Sequence, residues 1–142
     1  MKENLITGIS AGDFNGVGIE IILKTFKDDR ILKNITPIIY GDEKVFQYYM
    51  DLIPDLNLSF KVINSPNDAK HQKINIINIS KNNIKCNPGK DSEDAGKFAY
   101  LSLKKATDDL AKGVIDVIVT APINKNNIQS ESFHFPGHTE YL

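Results

Sequence analysis

Residues 115–120, reading Ile-Asp-Val-Ile-Val-Thr, form a short, almost unbroken apolar run rich in β-branched side chains. A run of that length without alternation is what a strand shows when both its faces are covered, as in the middle of a parallel sheet. Parallel neighbours must be joined by a crossover, usually a helix, and one stands directly upstream. Ala95, Ala99, Leu103, Ala106 and Leu110 fall at spacings of four, four, three and four, which lines one face of a helix over residues 92–112. Gly113 follows where a left-handed C-terminal cap is wanted.

The same alternation runs through the rest of the chain. Leu5–Ser10 reads as a strand, enters the glycine-rich turn Gly12-Asp13-Phe14-Asn15-Gly16-Val17-Gly18, and continues into a helical segment over residues 19–26. Residues 36–41 (TPIIYG) predict a second strand, and Asp42 caps a helix through Met50 that turns Val45, Phe46 and Tyr49 to one side. Residues 59–63 and 74–79 are further strands, separated by the turn Asn64-Ser65-Pro66-Asn67-Asp68, and residues 82–90 form a polar loop. The fold class is therefore α/β, a mostly parallel sheet flanked by helices.

At 142 residues the chain suffices for one domain, which buries roughly 70% of the surface its unfolded form exposes. Seventeen basic and 18 acidic residues give a net charge of -1, so there is no electrostatic case for nucleic acid or an anionic membrane as partner. The single cysteine, Cys86, excludes an intramolecular disulfide and makes a reducing cytoplasm the default. The opening residues show neither a signal peptide nor a membrane span.

In open α/β sheets ligands gather beyond the carboxyl ends of the strands, which directs attention to two segments. The turn after Ser10 places three glycines before a helix, where backbone approaches a ligand closely or simply turns tightly; both readings stand. It lacks the third glycine of G-x-G-x-x-G and the Gly-Lys-Ser/Thr of a P-loop. Asp13 and Glu20 read either as a carboxylate pair or as unrelated surface acids. The second segment, Thr120-Ala121-Pro122-Ile123-Asn124-Lys125, leaves its strand abruptly at a proline. Thr120, Asn124 and Lys125 there read as donors for a phosphate or carboxylate, or, for Lys125, as an ordinary surface lysine. His71 reads as a solvated loop residue and His134, between Phe133 and Phe135, as a half-buried spacer. His138 follows the flexible Gly137, while a capping Thr139 and a first-turn Glu140 also explain the cluster without a ligand. No histidine makes a metal motif, and no nucleophilic triad spacing is present.

Four blocks, in order, resemble the 4-hydroxythreonine-4-phosphate dehydrogenase family of pyridoxal phosphate biosynthesis. The Gly12–Gly18 turn with Glu20 is similar to the family's Gly-Asp-Pro-Ala-Gly-Ile-Gly-Pro-Glu loop, and Gly89-Lys90-Asp91-Ser92 to its Gly-Lys-Pro-Ser helix entry. Residues 116–125 (DVIVTAPINK) match the family strand and loop almost residue for residue, and residues 137–142 match its Gly-His-Thr-Glu-aromatic-Leu motif. Phe14, Asn15 and Ile19 stand where the family has Pro, Ala and Pro, and are expected to loosen the first loop.

The resemblance implies an isocitrate/isopropylmalate dehydrogenase-like fold, incomplete here, with residues 1–124 in the first α/β domain and 125–142 crossing into a second. It implies a cytoplasmic homodimer that uses NAD and a divalent metal (Zn, Mg or Co) to oxidise and decarboxylate a phosphorylated amino acid, 4-phosphooxy-L-threonine, to 3-amino-2-oxopropyl phosphate. His138 and Thr139 are then the substrate-contacting pair, with Asp13, Gly16, Gly18 and Lys125 in a possible active-site loop. The catalytic residues are not identified. The family's metal-binding histidines have no counterpart in this chain, so the 142 residues alone are expected to show little or no turnover. Alternative readings are a decarboxylating dehydrogenase of another phosphorylated hydroxy acid, a non-catalytic ligand-binding fragment, and a phosphoryl- or acyl-transfer enzyme of similar architecture.

Overall fold

A computed structural model describes residues 4–81, 83–90 and 92–122. Its strands are β1 (Leu5–Ser10), β2 (Ile35–Gly41), β3 (Phe60–Val62), β4 (Ile74–Asn78) and β5 (Val117–Thr120). The α-helices are α1 (Gly18–Thr25), α2 (Glu43–Leu52) and α3 (Glu93–Ala111). The five strands make one sheet in the order β3-β4-β2-β1-β5, every pair parallel. From β1 the chain moves outward through β2 to β4 and β3. It then returns through α3 to set β5 on the other side of β1. The direction of winding reverses between β1 and β5, so the loops leaving those two strands flank the topological switch point, where α/β folds place ligands.

Local chemistry fixes the element ends. The Asp42 carboxylate accepts from Lys44 N at 2.8 Å and Val45 N at 3.2 Å, satisfying two otherwise orphaned amides at the start of α2. Ser92 Oγ does the same for Ala95 N at 3.0 Å in α3, and Gly113 (φ +76°) closes that helix as its spacing predicted. Pro37 lies inside a central strand, a position that normally demands an N–H. It is tolerated because pairing with β4 begins only at Ile38. The fully buried Asn75 amide donates to Pro37 O at 3.0 Å and so covers the gap.

The helices cover both faces of the sheet. Successive residues point to opposite sides: Ile39 packs with Ile9, Ile76 and the apolar stripes of α1 and α2, while Ile38 and Tyr40 pack with Ile77, Ala106 and Ile115 beneath α3. The α3 face also holds polar groups. Ser102 Oγ accepts from Ala11 N at 2.8 Å and donates to Tyr40 O at 2.5 Å, tying the helix to β2 and to the end of β1. Tyr40 Oη donates to the buried Asp109 carboxylate at 2.7 Å, and burial followed by that carboxylate pushes the phenol far above its usual range.

β5 differs from its sequence expectation. It pairs with β1 on one side only and, among the described residues, forms the sheet edge, with Val119 52% exposed and Val117 and Ile118 half-buried. β1 lies inside it, between β2 and β5, because the chain's return through α3 adds β5 on the outer side of β1. Two residues of the apolar run precede the strand: Ile115 is buried beneath Gly8, and the Asp116 carboxylate accepts from Ile6 N at 2.8 Å while Asp116 N donates to Ile6 O.

Candidate active site

The two segments singled out from the sequence meet. Gly12 has φ +73°, and a Cβ built on it would lie 2.3 Å from Pro122 O; one on Gly18 would lie 3.0 Å from Ala121 Cβ. Ala121 N also donates to Ser10 O at 3.1 Å. The turn after β1 and the exit from β5 are therefore in backbone contact. Gly12 and Gly18 serve close packing, and the space a side chain would need is filled by protein rather than left for a ligand. Gly16 is the exception: it is exposed, and the nearest atom to its added Cβ is Asp13 O at 3.5 Å.

Asp13 organises this turn. It is 5% exposed, its Oδ1 accepts from Asn15 N at 2.7 Å, and its carbonyl accepts from Gly16 N at 3.0 Å. Glu20 instead pairs with Lys24 at 2.9 Å on the outer face of α1, so the Asp13–Glu20 carboxylate pair does not form.

The residues expected to loosen the loop anchor it. Ile19 is fully buried, and Phe14 is buried edge-on to Phe98 of α3 at 5.3 Å, with its carbonyl accepting from Tyr49 Oη at 2.5 Å. The Tyr49 phenol is pushed up to about 12 by burial, with smaller contributions from Cys86, Tyr48 and Asp13. Asn15, 4% exposed, spans three segments: its Oδ1 accepts from Asn87 N at 2.7 Å, its carbonyl accepts from Gly89 N at 2.9 Å, and its Nδ2 donates to Ser92 Oγ at 3.4 Å. A side-chain amide supplies the hydrogen bonds that a backbone-stiffening Pro-Ala pair cannot, and so fastens the 86–92 segment to the turn.

Beside Asn15 opens a cleft of about 790 Å³ between the turn, the loop after β4 and the start of α3. Phe98, Leu101 and Ile84 line it together with Lys85, Lys90 and Lys97. Cys86 also lines it, with a thiol that burial and the neighbouring Asp42 carboxylate push up, which keeps it protonated and poorly nucleophilic. The sequence reading did not assign these lysines. The usable signal is that Lys90 precedes the α3 cap by two residues and Lys97 follows it by five, which places both at the mouth of that helix's first turns.

A family model described as pyridoxal phosphate biosynthetic protein PdxA matches residues 33–142. The chain belongs to the PdxA family. Among PdxA relatives, a 4-hydroxythreonine-4-phosphate dehydrogenase of Bacteroides thetaiotaomicron is 46% identical over 100% of this chain and 39% of its own length. A Clostridium botulinum protein named "Putative D-threonate 4-phosphate dehydrogenase" is 34% identical over 96% of this chain and 42% of its own. The crystal structure of a 4-hydroxythreonine-4-phosphate dehydrogenase from Burkholderia phymatum superposes with a TM-score of 0.88 at 28% identity, covering 98% of this chain and 42% of that one. The parallel α/β architecture is thus that of PdxA structures, and this PdxA chain spans about two fifths of the length of the relatives it matches.

His138, Thr139 and Lys125 of this PdxA chain, with Asn124, His134 and Glu140, lie outside the described residues. Thr120 is half-buried at the end of β5, in register with Ser10, and His71 is exposed. Among the described residues no group of three or more His, Cys, Asp or Glu side chains is arranged to hold a metal ion, and the Asp13 carboxylate is committed to its turn. With Gly12 and Gly18 packed against Ala121 and Pro122, the turn offers no backbone cradle of the kind that receives a dinucleotide pyrophosphate. No described helix is long and apolar enough to cross a membrane.

Proposed function

We propose that this chain is the N-terminal part of an NAD-dependent dehydrogenase that oxidises and decarboxylates 4-phosphooxy-L-threonine to 3-amino-2-oxopropyl phosphate. The carrying observation is the 46% identity, over 100% of the chain, to a relative named 4-hydroxythreonine-4-phosphate dehydrogenase. Residues 1–124 belong to the first α/β domain and 125–142 lead into the second. The active enzyme is a cytoplasmic homodimer whose divalent metal (Zn, Mg or Co) is held by ligands outside this chain.

In the reaction the C3–H bond breaks with its electron pair leaving as hydride, while the C3 hydroxyl loses its proton. NAD supplies the hydride acceptor. The ketone so formed is β to the carboxylate, so the C1–C2 bond then cleaves, carbon dioxide leaves, and the electron pair is held as an enolate until C2 is protonated. His138 and Thr139 contact the substrate, imidazole and hydroxyl donating to its oxygens and holding the reacting carbon in place. Lys125, Asp13, Gly16 and Gly18 shape the adjoining loop. Its backbone contact with Pro122 couples the position of the β5 exit, and hence of the residues that follow, to the turn after β1.

The D-threonate relative favours a second reading, in which the substrate carries a hydroxyl rather than an amine at C2. One assay separates the two. The protein expressed from its complete reading frame should form NADH with 4-phosphooxy-L-threonine at a kcat/KM well above that for D-threonate 4-phosphate. Loss of a transition-state donor commonly lowers the rate about 10²–10³-fold, and His138→Asn and Thr139→Ala should each fall in that range. The 142-residue chain alone should show little or no turnover. Unchanged kinetics in both variants would remove the assigned roles, and a preference for the D-threonate substrate would select the second reading.

A further inference from the structure

We propose that Asn15-Gly16 is a self-modification site, where the Asn15 carboxamide is lost to aspartate and isoaspartate at a rate set by the opening of the turn that holds it. It is the single Asn-Gly pair in the sequence. That pairing is the most open to the reaction, because glycine has no Cβ to hinder the approach of its nitrogen to the preceding side chain. The step needs no partner but water. Gly16 N, once deprotonated, attacks Asn15 Cγ and closes a five-membered succinimide. The Cγ–Nδ2 bond breaks, and Nδ2 takes up a proton and leaves as ammonia. Water then adds to either ring carbonyl. The ring reopens to aspartate or, with the main chain rerouted through Cβ and Cγ, to isoaspartate.

The closed turn holds both reacting groups off this path. Gly16 N donates to Asp13 O at 3.0 Å, and none of residues 13–16 has a positive φ, which makes them a type I turn. The proton that must leave is thereby engaged, and ring closure demands rotation about the Asn15 Cα–C bond. The carboxamide is engaged too: its Oδ1 accepts from Asn87 N at 2.7 Å and its Nδ2 donates to Ser92 Oγ at 3.4 Å. Asn15 is 4% exposed, and the Asp13 carboxylate, bonded to Asn15 N at 2.7 Å, opposes the negative charge that the attack develops. Gly16 itself is exposed, with no atom nearer than 3.5 Å to its added Cβ, so the ties to Asn87 and Ser92 form the barrier rather than packing around Gly16. Neither product restores those ties. Aspartate lacks the Nδ2 donor and brings a second carboxylate into the buried turn. Isoaspartate adds a methylene to the main chain between Gly12, packed on Pro122, and α1. Each modification therefore releases residues 86–90 from the turn irreversibly, whatever reaction the complete protein performs.

The test incubates the protein from its complete reading frame at mildly alkaline pH, beside a synthetic peptide of residues 9–20. Mass spectrometry follows the conversion of Asn15, and isoaspartyl methyltransferase labelling separates the two products. Each lost hydrogen bond is worth roughly two- to tenfold, so the folded protein should convert at least about tenfold more slowly than the peptide. Ser92→Ala removes the Nδ2 partner, and Tyr49→Phe frees the Phe14 carbonyl from the other side of the turn. Each should speed conversion roughly two- to tenfold, in step with faster amide exchange at Asn87 and Gly89. The isolated isoaspartyl protein should have lost protection at those two amides. If either variant fails to fold, the protein-to-peptide ratio and the exchange of the modified protein still decide. The proposal is overturned if the folded protein converts as fast as the peptide or not at all, or if the exposed Asn64, which precedes Ser65, converts first. Folded variants with the parent's rate, or a modified protein that keeps its protection at Asn87 and Gly89, would overturn it as well.

Discussion

Substituting the three glycines of the first turn one at a time separates packing from ligand contact. A methyl group on Gly12 would sit 2.3 Å from Pro122 O and 3.3 Å from Pro122 C, atoms of backbone that cannot rotate away. The residue also holds φ +73°, a left-handed conformation that costs an L-residue roughly 1–2 kcal/mol, and overpacking adds about 1–3 kcal/mol. Gly12→Ala should therefore destabilise by about 2–5 kcal/mol, a large part of the roughly 5–15 kcal/mol that holds a typical domain together. At Gly18 the added Cβ meets Ala121 Cβ at 3.0 Å and Ala11 O at 3.1 Å. That crowding is offset by up to about 1 kcal/mol from replacing glycine at the start of a helix, so the net change should lie within roughly 1 kcal/mol of zero. At Gly16 the nearest contact is an ordinary 3.5 Å, and alanine should be neutral or stabilise by about 0.4–1 kcal/mol through the unfolded chain. Urea unfolding followed by far-UV circular dichroism gives the three values, with the slope expected to stay constant. A Gly12→Ala midpoint equal to the parent's, or Gly16→Ala as the least stable of the three, would refute the packing argument.

Asn15→Ala removes the acceptor for Asn87 N and should cost about 1–2 kcal/mol, with amide hydrogen exchange accelerating at Asn87 and the loop around it; unchanged exchange there would show that the carboxamide is not the tie. Ser102→Ala leaves the buried Ala11 N–H without its 2.8 Å partner and should destabilise by about 1–3 kcal/mol in urea. Tyr49 is raised from 10.0 to about 12 in the folded state, and Tyr40 is raised as well. Both phenols are protonated in folded and unfolded chains below pH 10, so their contribution is complete there. Between pH 10 and 12 the unfolded state loses its proton first and stability falls. Tyr49→Phe should flatten that alkaline decline, and an identical slope in parent and variant would contradict the shift.

The features legible in the sequence are those whose cause is local. Asp42 and Ser92 cap because a short polar side chain precedes an apolar period, and Gly113 ends α3 because only a residue without a side chain takes φ +76° cheaply. The position of β5 was not legible in the same way. Residues 115–120 carry the pattern of a central strand, but whether a second neighbour flanks a strand depends on where the rest of the sheet is added. Asn15 escaped for a related reason: its partner Asn87 stands 72 residues away, and no periodicity encodes that contact. Ser102 and Asp109 were within reach, since each lies three positions beyond an alanine of the α3 stripe, Ala99 and Ala106, and so faces the sheet. Of the two readings open for Asp13 and Glu20, the structure has separate acids: the helix-surface Glu20 finds its partner four residues on, at Lys24. The strongest sequence signal, the Gly137-His138-Thr139-Glu140 motif, bears on substrate contact and lies beyond the described residues.

Oxidation followed by loss of the carboxylate is the central claim, and isotope release tests it most directly. The protein from its complete reading frame, given NAD, a divalent metal and 4-phosphooxy-L-threonine labelled with ¹³C at C1, should release one ¹³CO₂ for each NADH formed. NADH without labelled carbon dioxide, or no NADH from this substrate at all, would contradict the account.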